Sequence, residues 1–140
     1  MKVSTTRFGD LDVEETAIMS VKEGILGFSG FERYFFLESD KSSPFKWLQS
    51  AEDPELAFVV VDPRSIEPDY RIALEPEDAA AISIENVEDC VVYCIVTVGQ
   101  DPSRITANLA GPILINTKIN VAKQLVLTDS DYSTRHRFLG

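Results

Sequence analysis

Residues 44 to 63 read PFKWLQSAEDPELAFVVVDP, and the fold class turns on this stretch. Side chains alternate across a strand, so Trp47 and Gln49 share one face while Leu48 takes the other. Ala51-Glu52-Asp53-Pro54 has the chemistry of a turn, because proline fixes its own φ and aspartate bonds nearby backbone. An apolar run of strand length follows from Leu56, and Pro63, with no N–H to give to a ladder, ends it. The spacing predicts two strands, 46–50 and 56–62, joined as a tight hairpin.

Outward from this hairpin the pattern repeats. Val3 to Phe8, a turn at Gly9-Asp10 and Leu11 to Glu14 predict a second hairpin with Leu11 and Val13 on one face. Ala17 to Val21 reads as a short extended piece. The loop after it holds Gly24, Gly27 and Gly30 but lacks the setting of a phosphate cradle. Its glycines imply backbone with positive φ or close approach, with Ile25, Leu26, Phe28 and Phe31 plugging one end of a core. Arg33 to Glu38 (RYFFLE) is an aromatic strand, and Cys90 to Val98 is the longest strand, ended by a turn at Gly99-Gln100-Asp101-Pro102. Three further strands are expected over 105–109, 112–116 and 122–127. Pro76 to Ile84 is the best helix candidate, since proline suits the first turn, Glu77 and Asp78 complement the dipole, and alanines propagate it. Nine or so short strands and one short helix predict a mainly β fold: a small, closed or nearly closed antiparallel β-barrel-like single domain covering residues 1–140.

A chain of 140 residues with 44 % hydrophobic content is long enough to bury a core without staples. Its longest apolar runs fall short of the roughly 20 residues that a bilayer-spanning helix needs. The opening MKVSTTRFGD has no apolar signal core, so a cytoplasmic location away from membranes is expected. Cys90 and Cys94 fall on one face of a strand about 13 Å apart, too far to bridge. They are expected to be buried thiols that behave as small hydrophobes. With a single histidine, His136, no multi-histidine metal site can form, and no cofactor is expected.

Charge is unevenly placed. Between Glu52 and Asp89 twelve acids face only Arg64 and Arg71, so this window alone carries the net charge of −10 and the flanks balance. Nucleic-acid binding draws on Lys and Arg to neutralise phosphates, so direct binding by this chain is not expected. A basic protein partner suits an acidic middle better, because complementary charge steers encounter and sets register. The tail from Asp129, with Tyr132, Arg135, His136, Arg137 and Phe138, makes a small basic patch. No nucleophile elbow or HExxH motif occurs. A pair of carboxylates doing acid and base work stays open, as in a carboxylate-dependent hydrolase, and would require a deep cleft. Asn108 and Asn116 bracket NLAGPILIN; such an amide caps a bulge, pairs a neighbouring edge carbonyl, or serves as a polar anchor within a peptide-binding groove.

In this order the motifs are specific. Thr6-Arg7-Phe8-Gly9, Gly24 to Phe28 (GILGF), Pro44 to Ser50 (PFKWLQS), Phe58 to Pro63, Thr106 to Asn116 (TANLAGPILIN) and Tyr132 to His136 (YSTRH) together resemble the flagellar assembly factor family FliW. The departures are Val21-Lys22, where the family has Phe-Pro, and Leu26, where it has proline. The resemblance implies a β-barrel-like protein without enzymatic activity that switches partners. One is the basic RNA-binding dimer CsrA, which blocks translation of flagellin messenger RNA, and the other is flagellin itself. An acidic chaperone for another export substrate would differ only in partner. Residues expected at partner surfaces are Phe45, Trp47, Gln49 and Asn108, with the acids Glu67, Asp69, Glu75, Glu77 and Asp78 turned to the basic regulator.

Overall fold

The computed structural model describes residues 1–38, 43–98, 105–128 and 131–137. Its strands are β1 (Lys2–Thr5), β2 (Gly9–Asp12), β3 (Met19–Lys22), β4 (Arg33–Glu38), β5 (Phe45–Ser50), β6 (Ala57–Val61), β7 (Cys90–Thr97), β8 (Thr106–Ala107), β9 (Ile113–Asn116), β10 (Val121–Gln124) and β11 (His136–Arg137), with a helix α1 (Pro76–Ala81). The expected hairpin is β5–β6, in register from Phe45 opposite Val61 to Gln49 opposite Ala57. The turn at Gly99 to Pro102, Asp129 and Phe138 lie outside the described residues.

Strands β3 to β7 pair in succession, β10 pairs with β3, β9 with β10, and β9 with β7, which closes a ring of seven. The barrel is therefore closed and mainly β, as the sequence predicts. It is not antiparallel throughout, since β10 runs parallel to β3 over Val121–Lys123. Strand direction alternates around an antiparallel ring, and an odd number of strands cannot alternate all the way round. Closure depends on β7, which uses both edges: Cys94–Val96 pair with β6 on one, while Cys90–Tyr93 pair with β9 on the other.

Every strand of the ring sends apolar side chains inward. Met19, Val21, Tyr34, Leu48, Val60, Ile113, Ile115 and Ala122 form one buried cluster, with Tyr93 and Ile95 of β7 against it. Ile25 closes one end, 1 % exposed. The tight bend from Ile25 to Phe28, whose N–H donates back to the Ile25 carbonyl at 2.6 Å, turns Leu26 outward, 75 % exposed, and leaves Phe28 edge-on against Phe58 and 40 % exposed. The expectation that Leu26 and Phe28 plug the core is therefore corrected, whereas Ile25 and Phe31 do pack there.

Several boundaries differ for local reasons. The first hairpin turns at Thr6–Phe8 and not at Gly9-Asp10, because the Thr5 hydroxyl accepts from the Phe8 N–H and donates to the Gly9 carbonyl, and Gly9 at φ +74° opens β2. Ala17 belongs to a 3-10 turn, Glu15–Ala17, so the following strand begins at Met19. The expected strands over 105–109 and 112–116 shrink to β8 and β9 because a bulge separates them. While β7 advances from Tyr93 to Val96, the facing chain passes from Ile113 back to Ala107, which leaves three residues over. The strand expected over 122–127 becomes Val121–Gln124, and the helix expected to reach Ile84 ends at Ala81.

Two segments cover the outside of the barrel. The β1–β2 hairpin, a separate sheet, packs Val3 and Val13 on Phe35. Residues 63–86, which join β6 to β7 through α1, form a strap over the other side. Its Tyr70, Ile72 and Leu74 alternate inward, and Ile82 and Ile84 join them against Cys94, Leu114 and Leu125.

Gly24 sets the loop that seals the barrel end. Its φ is +67°, and a Cβ there would lie 2.8 Å from the carbonyl oxygens of Phe28 and Phe31. Gly24→Ala is expected to lower unfolding stability by about 1–3 kcal/mol, read from a reduced urea midpoint with an unchanged m-value. An unchanged midpoint contradicts this account of the loop.

Candidate functional site

The residues singled out in the sequence do not gather at one point. Trp47 and Gln49 face outward from the barrel, and the chain's own N-terminal hairpin covers them. Arg7 stacks over the Trp47 ring at 4.4 Å and Phe8 meets it edge-on at 5.5 Å. Gln49 is fully buried, and its Nε2 donates to the carbonyls of Ser50 (3.0 Å) and Leu56 (3.1 Å), tying the turn of the β5–β6 hairpin. Phe45 is half-buried against the cluster of Val61, Tyr70 and Cys94. The Asn108 Oδ1 accepts from the Ala110 N–H at 3.1 Å, and its N–H donates to the Ile95 carbonyl, so this amide organises the bulge. Gly111 lies beside it, where a Cβ would stand 2.7 Å from Nδ2 of Asn108 and push that amide aside.

The five acids do lie together along the strap. Asp69, Glu75 and Glu77 are exposed, Glu67 is half-buried, and Asp78 holds Lys123 of β10 at 3.2 Å. Alternation explains the placement of Asp69 and Glu75. With Tyr70, Ile72 and Leu74 turned to the barrel, Asp69, Arg71, Ala73 and Glu75 are left to solvent.

Polar clamps fix the strap where apolar packing alone would let it slide. Tyr70 donates its hydroxyl to the Leu109 carbonyl at 2.7 Å and stacks on Tyr132 at 4.5 Å, while the Tyr132 hydroxyl accepts from the Arg71 N–H at 2.8 Å. At the far end the buried Asn116 donates Nδ2 to the carbonyls of Ile82 (2.8 Å) and Ser83 (3.1 Å). Ser83 ends the helix at φ +55°, a left-handed position that glycine usually fills. Asn116 thus satisfies carbonyls that the short helix leaves without partners. At the near end Asp62 caps the 3-10 turn Pro63–Ser65 by accepting from the Arg64 N–H. Sequence reasoning allowed Asn116 to pair a carbonyl of a neighbouring edge but not one of the strap, and gave Tyr70 no role. Both contacts are long-range, Tyr70 to Leu109 and Asn116 to Ile82, and only the tertiary fold brings these groups together.

A cleft of about 320 Å³ opens between strap and barrel, with Ile72, Leu74, Ile84, Val92 and Leu114 on its walls and Asp62 at its rim. A second, shallower cavity lies between Arg7, Gln49 and Glu55. Each holds one carboxylate, so neither brings together the pair that acid and base hydrolysis would use. Among the described residues no group of three or more His, Cys, Asp or Glu side chains is placed to hold a metal ion. No helix among them is long and apolar enough to cross a membrane.

Burial shifts both thiols and the hydroxyls of Tyr34 and Tyr70. It pushes the Cys94 thiol up to about 12, raises Cys90 as well, and lifts the Tyr70 hydroxyl further still. Tyr34, buried in the barrel with Glu52 and Asp53 near it, rises to about 12. Cys90 is only half-buried, so the expectation of two buried thiols holds fully for Cys94 alone.

Residues 2–138 match the model of the FliW protein family. A flagellar assembly factor FliW from Geobacter sulfurreducens is 45% identical over 138 residues, covering 99% of this chain and 86% of that protein. One from Leptospira interrogans is 37% identical over 140 residues, covering 99% of this chain and 93% of that protein. A crystal structure of the flagellar assembly factor FliW superposes with a TM-score of 0.91 at 35% identity, covering 100% of this chain and 98% of that one.

Two outcomes follow from the clamps and the buried thiol. Asn116→Ala should cost about 1–3 kcal/mol by stranding the Ile82 and Ser83 carbonyls, and should speed amide exchange at Ile84 more than in β5. Uniform exchange across both segments contradicts the clamp. Because the folded state holds the Cys94 and Tyr34 protons more tightly than the unfolded chain does, their contribution is complete below the ordinary values. It is lost as pH rises toward 12. Urea midpoints should therefore fall from about pH 9 upward, and a flat profile from about pH 8 to about pH 11 contradicts the burial argument.

Proposed function

The chain belongs to the FliW family of flagellar assembly factors, and from that membership we propose that it controls flagellin synthesis by switching between two protein partners. In this reading it acts in the cytoplasm and binds a CsrA-type RNA-binding regulator, relieving the regulator's repression of flagellin messenger RNA. Flagellin is the alternative partner. When flagellin is exported, the free factor sequesters the regulator and translation proceeds; when flagellin accumulates, it captures the factor and the regulator returns to the message.

The observation that carries this reading is the clamped acidic strap. The window from Glu52 to Asp89 holds the whole formal charge of −10, and Asp69, Glu75 and Glu77 expose part of it to solvent. Glu67 and Asp78 stand beside them, Asp78 through its link to Lys123. Such a surface repels nucleic acid and attracts a protein whose own surface is built to bind phosphate. Charge supplies encounter rate and register, and a few apolar contacts supply affinity.

Reversing Asp69, Glu75 and Glu77 to lysine should lower the association rate with the purified regulator about tenfold at low salt and flatten its salt dependence. The measurement is surface-immobilised binding between about 50 and about 300 mM salt, a range over which the screening length more than halves. Unchanged association rates across that range would sink the assignment of the strap. The mode of inhibition is read by adding RNA-bound regulator: a ternary complex with mutually weakened affinities marks action at a distance, and strict competition marks occlusion.

A further inference from the structure

The segment from Asp131 to Arg137 touches the strap and the barrel at once. The Tyr132 hydroxyl accepts from the Arg71 N–H at 2.8 Å, and its ring stacks on Tyr70 at 4.5 Å. One residue on, the Ser133 carbonyl accepts from the Leu109 N–H at 3.0 Å, and His136 and Arg137 then pair with Ala107 and Thr106 of β8 as β11. Leu109 is also the residue whose carbonyl receives the Tyr70 hydroxyl at 2.7 Å. The bonds that hold the Tyr70 end of the strap therefore run to this segment or to the residue that it grips.

Little holds the segment itself. None of its residues is buried: Tyr132 and His136 are half-buried and the others are exposed. Tyr132 alone joins an apolar cluster, and the ladder with β8 is two residues long. The ion pairs among the described residues are Met1–Asp12 and Asp78–Lys123, so charge does not hold Arg135 or Arg137 in place. Few apolar contacts, and hydrogen bonds within reach of water, mark a unit that opens at low free energy while the rest of the fold stays closed. Opening frees the outer edge of β8, the Leu109 N–H and one face of the Tyr70 ring.

A segment bound so lightly displays the chemistry of whatever could replace it. The β8 edge takes extended backbone of any sequence, whereas the place against Tyr70 takes an aromatic ring whose polar tip reaches the Arg71 N–H. We propose that residues 131–137 are a latch that an extended, tyrosine-bearing segment of a partner protein displaces from β8, and that this displacement loosens the acidic strap. The strap then loses the acceptor for Arg71 and the ring against Tyr70 in one step. Occupancy of the β8 edge thus weakens binding at the strap, and a partner on the strap holds the latch shut by the same factor. This rests on the reading above in taking the strap as the regulator's face, and it adds how a second partner releases the first.

Hydrogen exchange on the full chain tests the latch without any substitution. Arg71 and Leu109 donate to the latch, whereas Asn108 beside them donates to the Ile95 carbonyl of β7. The Arg71 and Leu109 amides should share one protection factor, about tenfold below that of Asn108. Protection of Leu109 equal to that of Asn108, or unrelated protection of Arg71 and Leu109, overturns the latch.

Displacement is read with two capped peptides at millimolar concentration, one copying residues 131–137 (DYSTRHR) and one with serine in place of its tyrosine. Each is added to wild type and to Tyr132→Ser combined with His136→Pro, which removes the ring and breaks the short ladder. The tyrosine peptide should shift the amide resonances of Ala107, Leu109 and Arg71 in the variant. In wild type it should bind about tenfold more weakly, because the chain's own latch competes for the edge. The serine peptide should shift none of them. Equal shifts with both peptides, or none with either, overturn β8 as a strand site. The purified regulator should bind the paired variant about fivefold more weakly than wild type. If it binds the two equally, the coupling fails and the regulator reading stands; if it binds neither, the regulator reading fails, and the exchange and peptide results alone decide the latch.

Discussion

The pairing of β7 with β9 holds the rest of the structure in place. Without the ladder from Cys90–Asn116 to Tyr93–Ile113 the seven strands would form an open curved sheet with two unpaired edges. With it, apolar side chains from every strand meet in one lumen. The same ladder gives the outer face its shape. Cys90 and Val92 on β7 and Leu114 on β9 point away from the lumen and become the platform on which the strap rests.

A strap of this kind has little of its own to hold it. From Ile72 to Leu74 it is extended but belongs to no sheet, and its helix has six residues, fewer than a helix needs to persist alone. Apolar contacts bring it to the barrel, and directional bonds decide where it sits. Tyr70 reaches the bulge carbonyl of Leu109, and Asn116 reaches the carbonyls at the helix end. The first anchor sits on the bulge between β8 and β9 and the second at the far end of β9, so this one segment holds the strap at two points. The Asp78–Lys123 pair, about one quarter exposed on each side, contributes little to stability, about 0–1 kcal/mol. It helps to fix the helix over β10.

Much of this was legible in the chain. The β5–β6 hairpin follows from alternation and from turn residues that act locally, and β4 falls where RYFFLE places it. The helix starts at Pro76 because the first-turn preferences of proline and acids are also local. Failures came where distant parts meet. Nothing near Trp47 announces that Arg7 and Phe8 will cover it, and nothing near Gln49 announces its burial, since both depend on an N-terminal hairpin folding over β5. Leu26 and Phe28 are apolar and read as core, yet the bend that buries Ile25 turns them out. The acidic window was visible as composition, but its arrangement as a face requires Asn116, a residue outside the window.

Hydrogen exchange on the full chain with and without the purified basic regulator tests the central claim, that the clamped strap is the regulator's docking face. The amides of Ile72, Ala73 and Leu74 lack hydrogen-bond partners among the described residues, so they should exchange fast when free and report contact sensitively. The account predicts slowed exchange across residues 66–91 in the complex, with the glycine loop and the β1–β2 hairpin unchanged. Protection centred on residues 24–31 or on the hairpin, with the strap unaltered, would contradict it.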